Sequence, residues 1–263
     1  MKYLLIFLLS IPIFTFSQDV KPKVLAIYPT TDSIPVNILR FYIQFSKPML
    51  EMDILKHIHL VNSQGQDMTG VFYENQYELW NENRTMVTII LDPGRVKTGL
   101  LAKNKMGRAF DEGIKYSLTV DNSLLDFNDQ KLSKSFTKTF VAVKEDRLAP
   151  DTKNWDLTLP KKNTKEEIEI HFNDKLDHIS ATTLIKIYKG NKEIKGDILL
   201  KNKEEAWLFQ PLNEWEMGEY QILVNPRLED IAANSLTQIF DHKPEDFKQN
   251  NNKNIIIKFK IIK

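Results

Sequence analysis

Cysteine is absent from the 263 residues. That absence excludes disulfides, thiol catalysis, Cys-ligated zinc and iron–sulfur clusters. It also excludes a lipoprotein anchor, which needs a Cys at the cleavage point. Charge of one sign is missing too: 36 bases stand against 35 acids. A nucleic-acid binder normally carries a basic excess, so nucleic acid is not an expected partner. No GxSxG, HExxH, GxGxxG or Walker pattern occurs, which speaks against an enzyme and against a nucleotide cofactor. No stretch beyond residue 18 sustains a long apolar period of 3.6 residues. Hydrophobic residues make up 42% and charged residues 27%, as in ordinary globular chains. At about 150 residues per domain the length predicts roughly two domains.

The first 17 residues differ from the rest. Lys2 supplies a positive start, and Leu4 to Phe16 is an apolar run broken by Ser10, Pro12 and Thr15. Thr15 and Ser17 are small enough for the −3 and −1 positions of a signal peptidase site, predicting cleavage before Gln18. A bilayer span needs about 18 or more apolar residues, so a cleaved leader fits better than an anchor. Cleavage removes Lys2 and leaves the mature charge balanced. The expected location is outside the cytoplasm: periplasm, cell surface or medium. An exported chain without disulfides must be held by packing.

What is present is strand pattern. Phe41, Ile43 and Phe45 alternate with Arg40, Tyr42 and Gln44. Tyr116, Leu118 and Val120, then Ile168, Ile170 and Phe172, then Ile255, Ile257, Phe259 and Ile261 repeat the period of two. Each predicts one face on a core and the other in water. The stretch Met49 to Lys56 reads as a turn or two of helix. The chain also resembles itself. Residues 41–49 lie over 168–176, Ile58 and Leu60 over Ile185 and Ile187, and Gly70 over Gly196. Leu91-Asp92-Pro93 falls on Phe209-Gln210-Pro211, which sets Ile89 against Trp207. Leu124-Leu125-Asp126 and Leu132 fall on Leu228-Glu229-Asp230 and Leu236, and Phe136 on Phe240. Order is kept throughout, as a duplication requires.

Each copy carries about seven strand signals, the size and pattern of an immunoglobulin-like sandwich. The expected organisation is a signal peptide (1–17), a first Ig-like domain (18–146) with a basic insertion at 94–112, and a second (155–263). The short stretch Asp146 to Asn154, with Pro150 and polar neighbours, reads as the linker.

Phe45-Ser46-Lys47-Pro48-Met49 resembles the F-S-x-P-M signature of the bacterial Ig-like family of the SbsA type. Residues 228–236 resemble that family's V-x-D-x-A-G-N-x-L hairpin, with Ala233 where the family has Gly. The copies would span residues 23–143 and 155–261. The first has Phe127-Asn128-Asp129-Gln130 at the hairpin turn, and the second lacks Pro-Met after Phe172. The resemblance implies tandem all-β modules that act as spacers or interaction surfaces without catalytic residues. The function expected is a structural or interaction module meeting an envelope protein or polysaccharide, and the alternative is a carbohydrate-binding accessory protein of the envelope.

Four groups of residues are candidates for chemistry. Arg95, Lys97, Lys103, Lys105 and Arg108 sit in the insertion with no acid between them, a pattern that can present positive charge to an anionic polymer. The competing expectation tucks Leu100, Leu101, Met106 and Phe110 under a folded loop. Asp121, Asp126, Asn128 and Asp129 offer hard oxygens for calcium, or simply turn chemistry. His57 and His59 are two apart on a predicted strand and would share its outer face, where a zinc or copper site would lack a nameable third ligand. Trp80, Trp155, Trp207 and Trp215 are candidates for a sugar-stacking face, with Trp207 placed at an inward position by the repeat. No metal or cofactor is expected from these patterns.

Overall fold

The computed structural model describes residues 20–50, 53–100, 105–242 and 253–262. The leader, residues 1–17, lies outside the described residues. Two hydrophobic cores form. One gathers residues from Val24 to Ala142, with Phe41, Phe45, Phe110, Tyr116 and Phe140 at its centre. The other runs from Trp155 to Ile261, around Phe172, Trp207, Trp215 and Tyr220.

Around the first core lie two four-stranded sheets. One has the order β1(Val24–Tyr28), β3(Arg40–Phe45), β6(Met86–Ile90), β5(Leu79–Trp80). The other has β2(Ser33–Pro35), β8(Phe136–Val143), β7(Lys115–Val120), β4(Ile58–Asn62). Around the second core the orders are β9(Asp156–Thr158), β10(Ile168–His171), β14(Ala206–Pro211), β13(Gly196–Lys201), and β12(Lys192–Glu193), β11(Ile185–Lys189), β15(Gly218–Val224), β16(Ile255–Ile261). Strand for strand, β1-β3-β6-β5 is β9-β10-β14-β13, and β8-β7-β4 is β16-β15-β11. These are immunoglobulin-like sandwiches, with facing sheets sharing their inward side chains. The expected all-β class is the observed one.

The duplication reaches single hydrogen bonds. Met49 bridges Asp126 as Leu176 bridges Asp230, and Leu125 bridges Lys131 as Glu229 bridges Ser235. Leu132 N–H donates to Leu124 O, and Leu236 N–H to Leu228 O. Asp126 and Asp230 each accept two hairpin N–H groups through Oδ1. This is Asx-turn chemistry, which shapes a loop without a glycine. Ala233 takes φ 63 in the second hairpin and Asp129 takes φ 56 in the first.

Two details of the sequence alignment are corrected. Ile89 pairs with Phe41 while Phe209 pairs with Ile168, so Ile89 corresponds to Phe209 and Trp207 to Val87. The slip is an even number of residues and keeps Trp207 inward, where it is fully buried. The counterpart of Phe136 is Ile255, since these two face Val120 and Val224. Phe240 instead lies in an insertion of the second copy between its hairpin and β16. Met49 to Lys56 yields a 3-10 turn over Ile54–His57.

A third correction concerns the outer face of β3. Alternation placed Tyr42 in water, yet it is only 4% exposed. The second sandwich covers it, and a single-strand pattern carries no signal for that.

Candidate functional site

The sandwiches meet at a polar, buried junction. Tyr42 Oη donates to Asp177 Oδ2 at 2.7 Å. Asp177 also caps the helix His178–Thr183, accepting Ser180 N–H at 2.9 Å. Arg40 ion-pairs with Asp177 at 3.6 Å and hydrogen-bonds Glu229. Tyr28 stacks on His178 with ring centroids 3.6 Å apart. Burial holds the His178 imidazole down at about 4, so it is neutral at ordinary pH. Burial and the Asp177 carboxylate push the Tyr42 phenol far above its usual range.

A second contact centres on Glu204 in the β13–β14 turn. It accepts Thr30 N–H at 2.7 Å and Thr31 N–H at 3.4 Å. Lys138 donates to Thr31 O at 2.8 Å, and burial pulls its ammonium down to about 8. The second hairpin reaches the linker, where Asn234 Nδ2 donates to Asp146 O at 3.2 Å. Beside it, burial and the Asp146 charge raise Asp174 to about 6, and burial raises Asp230 to about 8. A groove of about 520 Å³ opens here between the sandwiches, bounded by Pro35, Arg147, Asp174 and Ile231.

The basic insertion is largely structural. Arg95 is 7% exposed, and its guanidinium donates to the carbonyls of Thr69, Gly70, Met106, Gly107 and Arg108. The expectation that Arg95 presents charge to a partner is therefore corrected: five main-chain acceptors hold it inside. Lys97 lies over the Phe240 ring at 4.4 Å, and Thr98 donates twice to Asp241. Arg108 pairs with Glu145 at 3.0 Å, while Arg147 bridges Glu145 and Asp241. Phe110 is buried against Tyr116 and Phe140, whereas Leu100 and Met106 remain exposed. Lys105 is exposed, and Lys103 and Leu101 lie outside the described residues. Each sandwich thus contributes one insertion, and the two insertions clasp each other.

The other candidates resolve into local roles. Asp121 accepts Ser123 N–H at 2.7 Å and bonds His59 Nε2 at 3.0 Å. Desolvation opposes its ionisation, but the bonds from Ser123 and His59 and the nearby His57 hold its carboxyl down at about 2. His57 ends the 3-10 turn instead of lying on the strand, and its Nδ1 meets Ser123 Oγ at 2.7 Å. Among the described residues no three His, Asp or Glu side chains are arranged to hold a metal ion. Asp126 serves its hairpin, while Asn128 and Asp129 lie in the turn it caps. Trp155, Trp207 and Trp215 are all core residues, at most 7% exposed, so the sugar-stacking expectation is corrected for these three. Large indoles fill the second sandwich where the first uses smaller side chains.

Sequence reasoning missed a concavity of about 700 Å³ on the β5 side of the first sandwich. Phe72 pairs with Leu91 and Leu79 with Thr88. Between those pairs the outer chain advances seven residues while β6 advances three. Residues 74–77 therefore loop out, and such bulges re-aim side chains. Tyr73 and Tyr77 flank the opening, 49% and 68% exposed. Behind them Glu78 is held at both oxygens, accepting Ile54 N–H and, at 2.7 Å, Trp80 Nε1–H. Tyr73 N–H donates to Ile90 O at 2.8 Å. The signal available in the sequence was Tyr-Glu-Asn-Gln-Tyr-Glu, two aromatics amid polar residues with no strand alternation.

No protein-family model and no curated protein matches the chain. Several solved structures overlap it loosely. Native alpha-2-macroglobulin from Escherichia coli, spanning domains MG0-NIE-MG1, is 10% identical with a TM-score of 0.30, covering 92% of this chain and 71% of that one. The S-layer protein SbsC, domains 5–6, is 8% identical with a TM-score of 0.26, covering 92% and 99%. The Group B Streptococcus pullulanase SAP is 10% identical with a TM-score of 0.23, covering 92% of this chain and 27% of the enzyme. Identities this low carry no information on activity or partner, and the Ig-like assignment stands on the strand orders above. Among the described residues no helix is long and apolar enough to cross a membrane.

Proposed function

We propose that the chain is an exported, non-enzymatic pair of Ig-like modules of the SbsA type. It acts as a structural or interaction element in the periplasm or at the cell surface, with an envelope protein or polysaccharide as partner. The observation that carries this reading is the junction. Arg40, Tyr42, Asp177 and Glu229, the Glu204 contact, and the clasped insertions tie two well-filled sandwiches to each other. A display element needs such a fixed frame, because surface that is already rigid loses less entropy on binding. The buried Arg95 anchors the basic insertion, so among its described residues the basic side chain left to meet a partner is the exposed Lys105.

The test is fractionation of the producing cell, followed by cross-linking. The mature chain is expected to begin at Gln18, to sit outside the cytoplasm, and to cross-link to envelope material. A cytoplasmic chain that keeps Met1 to Ser17 overturns the reading.

A further inference from the structure

We infer that the bulge groove of the first sandwich is a binding site for a neutral saccharide. The inference rests on the reading of the chain as an envelope binding module and gives that reading a place and a ligand class.

Three observations converge. First, the groove exists only because β5 is interrupted. In the second sandwich the same edge strand, β13, pairs without a break from Gly196–Pro211 to Lys201–Ala206. One copy therefore gives up ladder pairing that the other keeps, and places two tyrosines at the gap. Second, the tyrosines are exposed where burial against the sandwich would favour them. Exposed aromatic faces beside a cavity can stack on the apolar face of a pyranose ring. Third, the remaining polar groups select by charge. Lys56 is the one basic side chain among the described lining residues, and its ammonium is bonded to Asp53 at 2.5 Å. Glu78 is satisfied at both oxygens. The other polar residues of the lining, besides the acidic Glu74, are uncharged: Asn75, Gln76, Thr88 and the two tyrosines. These donors and acceptors suit hydroxyl groups. With no unpaired cation in the lining, phosphate, sulfate and acidic polymers have no counter-charge there.

A peptide adding as a strand fits less well. Tyr73 N–H already occupies Ile90 O, the acceptor such a strand would use at this edge.

The test uses the full mature chain and calorimetric titration with soluble cello-, xylo-, malto- and chito-oligosaccharides. At least one is expected to bind. Tyr73→Ala and Tyr77→Ala are each expected to weaken that binding roughly tenfold, the value of one aromatic contact. Tyr73→Phe and Tyr77→Phe keep the stacking face and are expected to retain most of it. Both tyrosines are exposed, so unchanged melting of the variants verifies that the fold is intact. No binding by any of the four series at millimolar concentration overturns the proposal, as does undiminished binding by the double alanine variant. Binding of an oligolysine peptide with no saccharide binding also overturns it, making the groove a cation site through Glu74. Export plays no part in this titration, so its failure is separable from failure of the fractionation experiment.

Discussion

The two sandwiches share a strand plan and differ in what is hung on it. The first has a broken edge strand, a parallel cap (β2 on β8) and the insertion at 94–112 between β6 and β7. The second has an unbroken edge, a hairpin strand β12, and its insertion before β16. The shared part is made of inward-facing apolar residues and the capped hairpins at Asp126 and Asp230. The unshared part makes the clasp and the groove. The comparison teaches that in this molecule the repeated pattern builds the frame and supplies Arg40, Tyr42 and Glu229 to the junction, while departures from it build the clasp and the groove.

The sharpest way to break that comparison is to strike the second core at its largest side chain. Trp207→Ala is expected to lower stability by about 3–5 kcal/mol, as deletion of a fully buried aromatic does. Its counterpart in the first sandwich is only Val87, so the second copy depends on one residue more heavily than the first does. Chemical denaturation followed by tryptophan emission measures this, and a loss below 1 kcal/mol would mean the cores are not packed as described.

The next test separates structural from exposed charge within one insertion. Arg95→Ser removes the donors to five carbonyls and is expected to destabilise by about 3 kcal/mol. Lys105→Ser, ten residues on at an exposed position, is expected to change stability by less than about 0.5 kcal/mol. Equal effects of the two substitutions would erase the distinction.

The smallest effect concerns pH at the junction. Asp174 has a folded value of about 6, above the unfolded value near 4, so the folded state holds its proton more tightly. Its contribution is favourable at low pH and is lost as pH rises from about 4 to about 6, the reverse of an ion-paired carboxylate. Asp174→Asn suffers no such loss, so its stability relative to the parent is expected to rise across that window, by less than the roughly 3 kcal/mol that the full displacement from about 4 to about 6 represents, because Asp174 is partly exposed to water. A pH-independent difference would show that Asp174 ionises freely.

Much of the fold was legible because sandwiches announce themselves by a period of two. Phe41, Leu118, Ile170 and Phe259 all point inward as the alternation requires. The hairpin Asp residues were legible through turn chemistry, although an acidic cluster alone does not distinguish a cap from a cation site. Less was legible about the site. Arg95 looks like any surface arginine in sequence, because nothing local says that five carbonyls will close on it. Tyr42 looks solvent-facing because its cover comes from residues 135 positions away. The bulge at residues 74–77 escaped because a loop-out is defined by the partner strand it leaves.

The sequence by itself determined the strand faces, the duplication and the polar caps, since each depends on neighbours a few residues apart and on the pleat. Tertiary structure alone decided the junction, the clasp of the two insertions and the open groove. Those depend on which surfaces the chain brings together across long separations, and side-chain order along one strand holds no record of them.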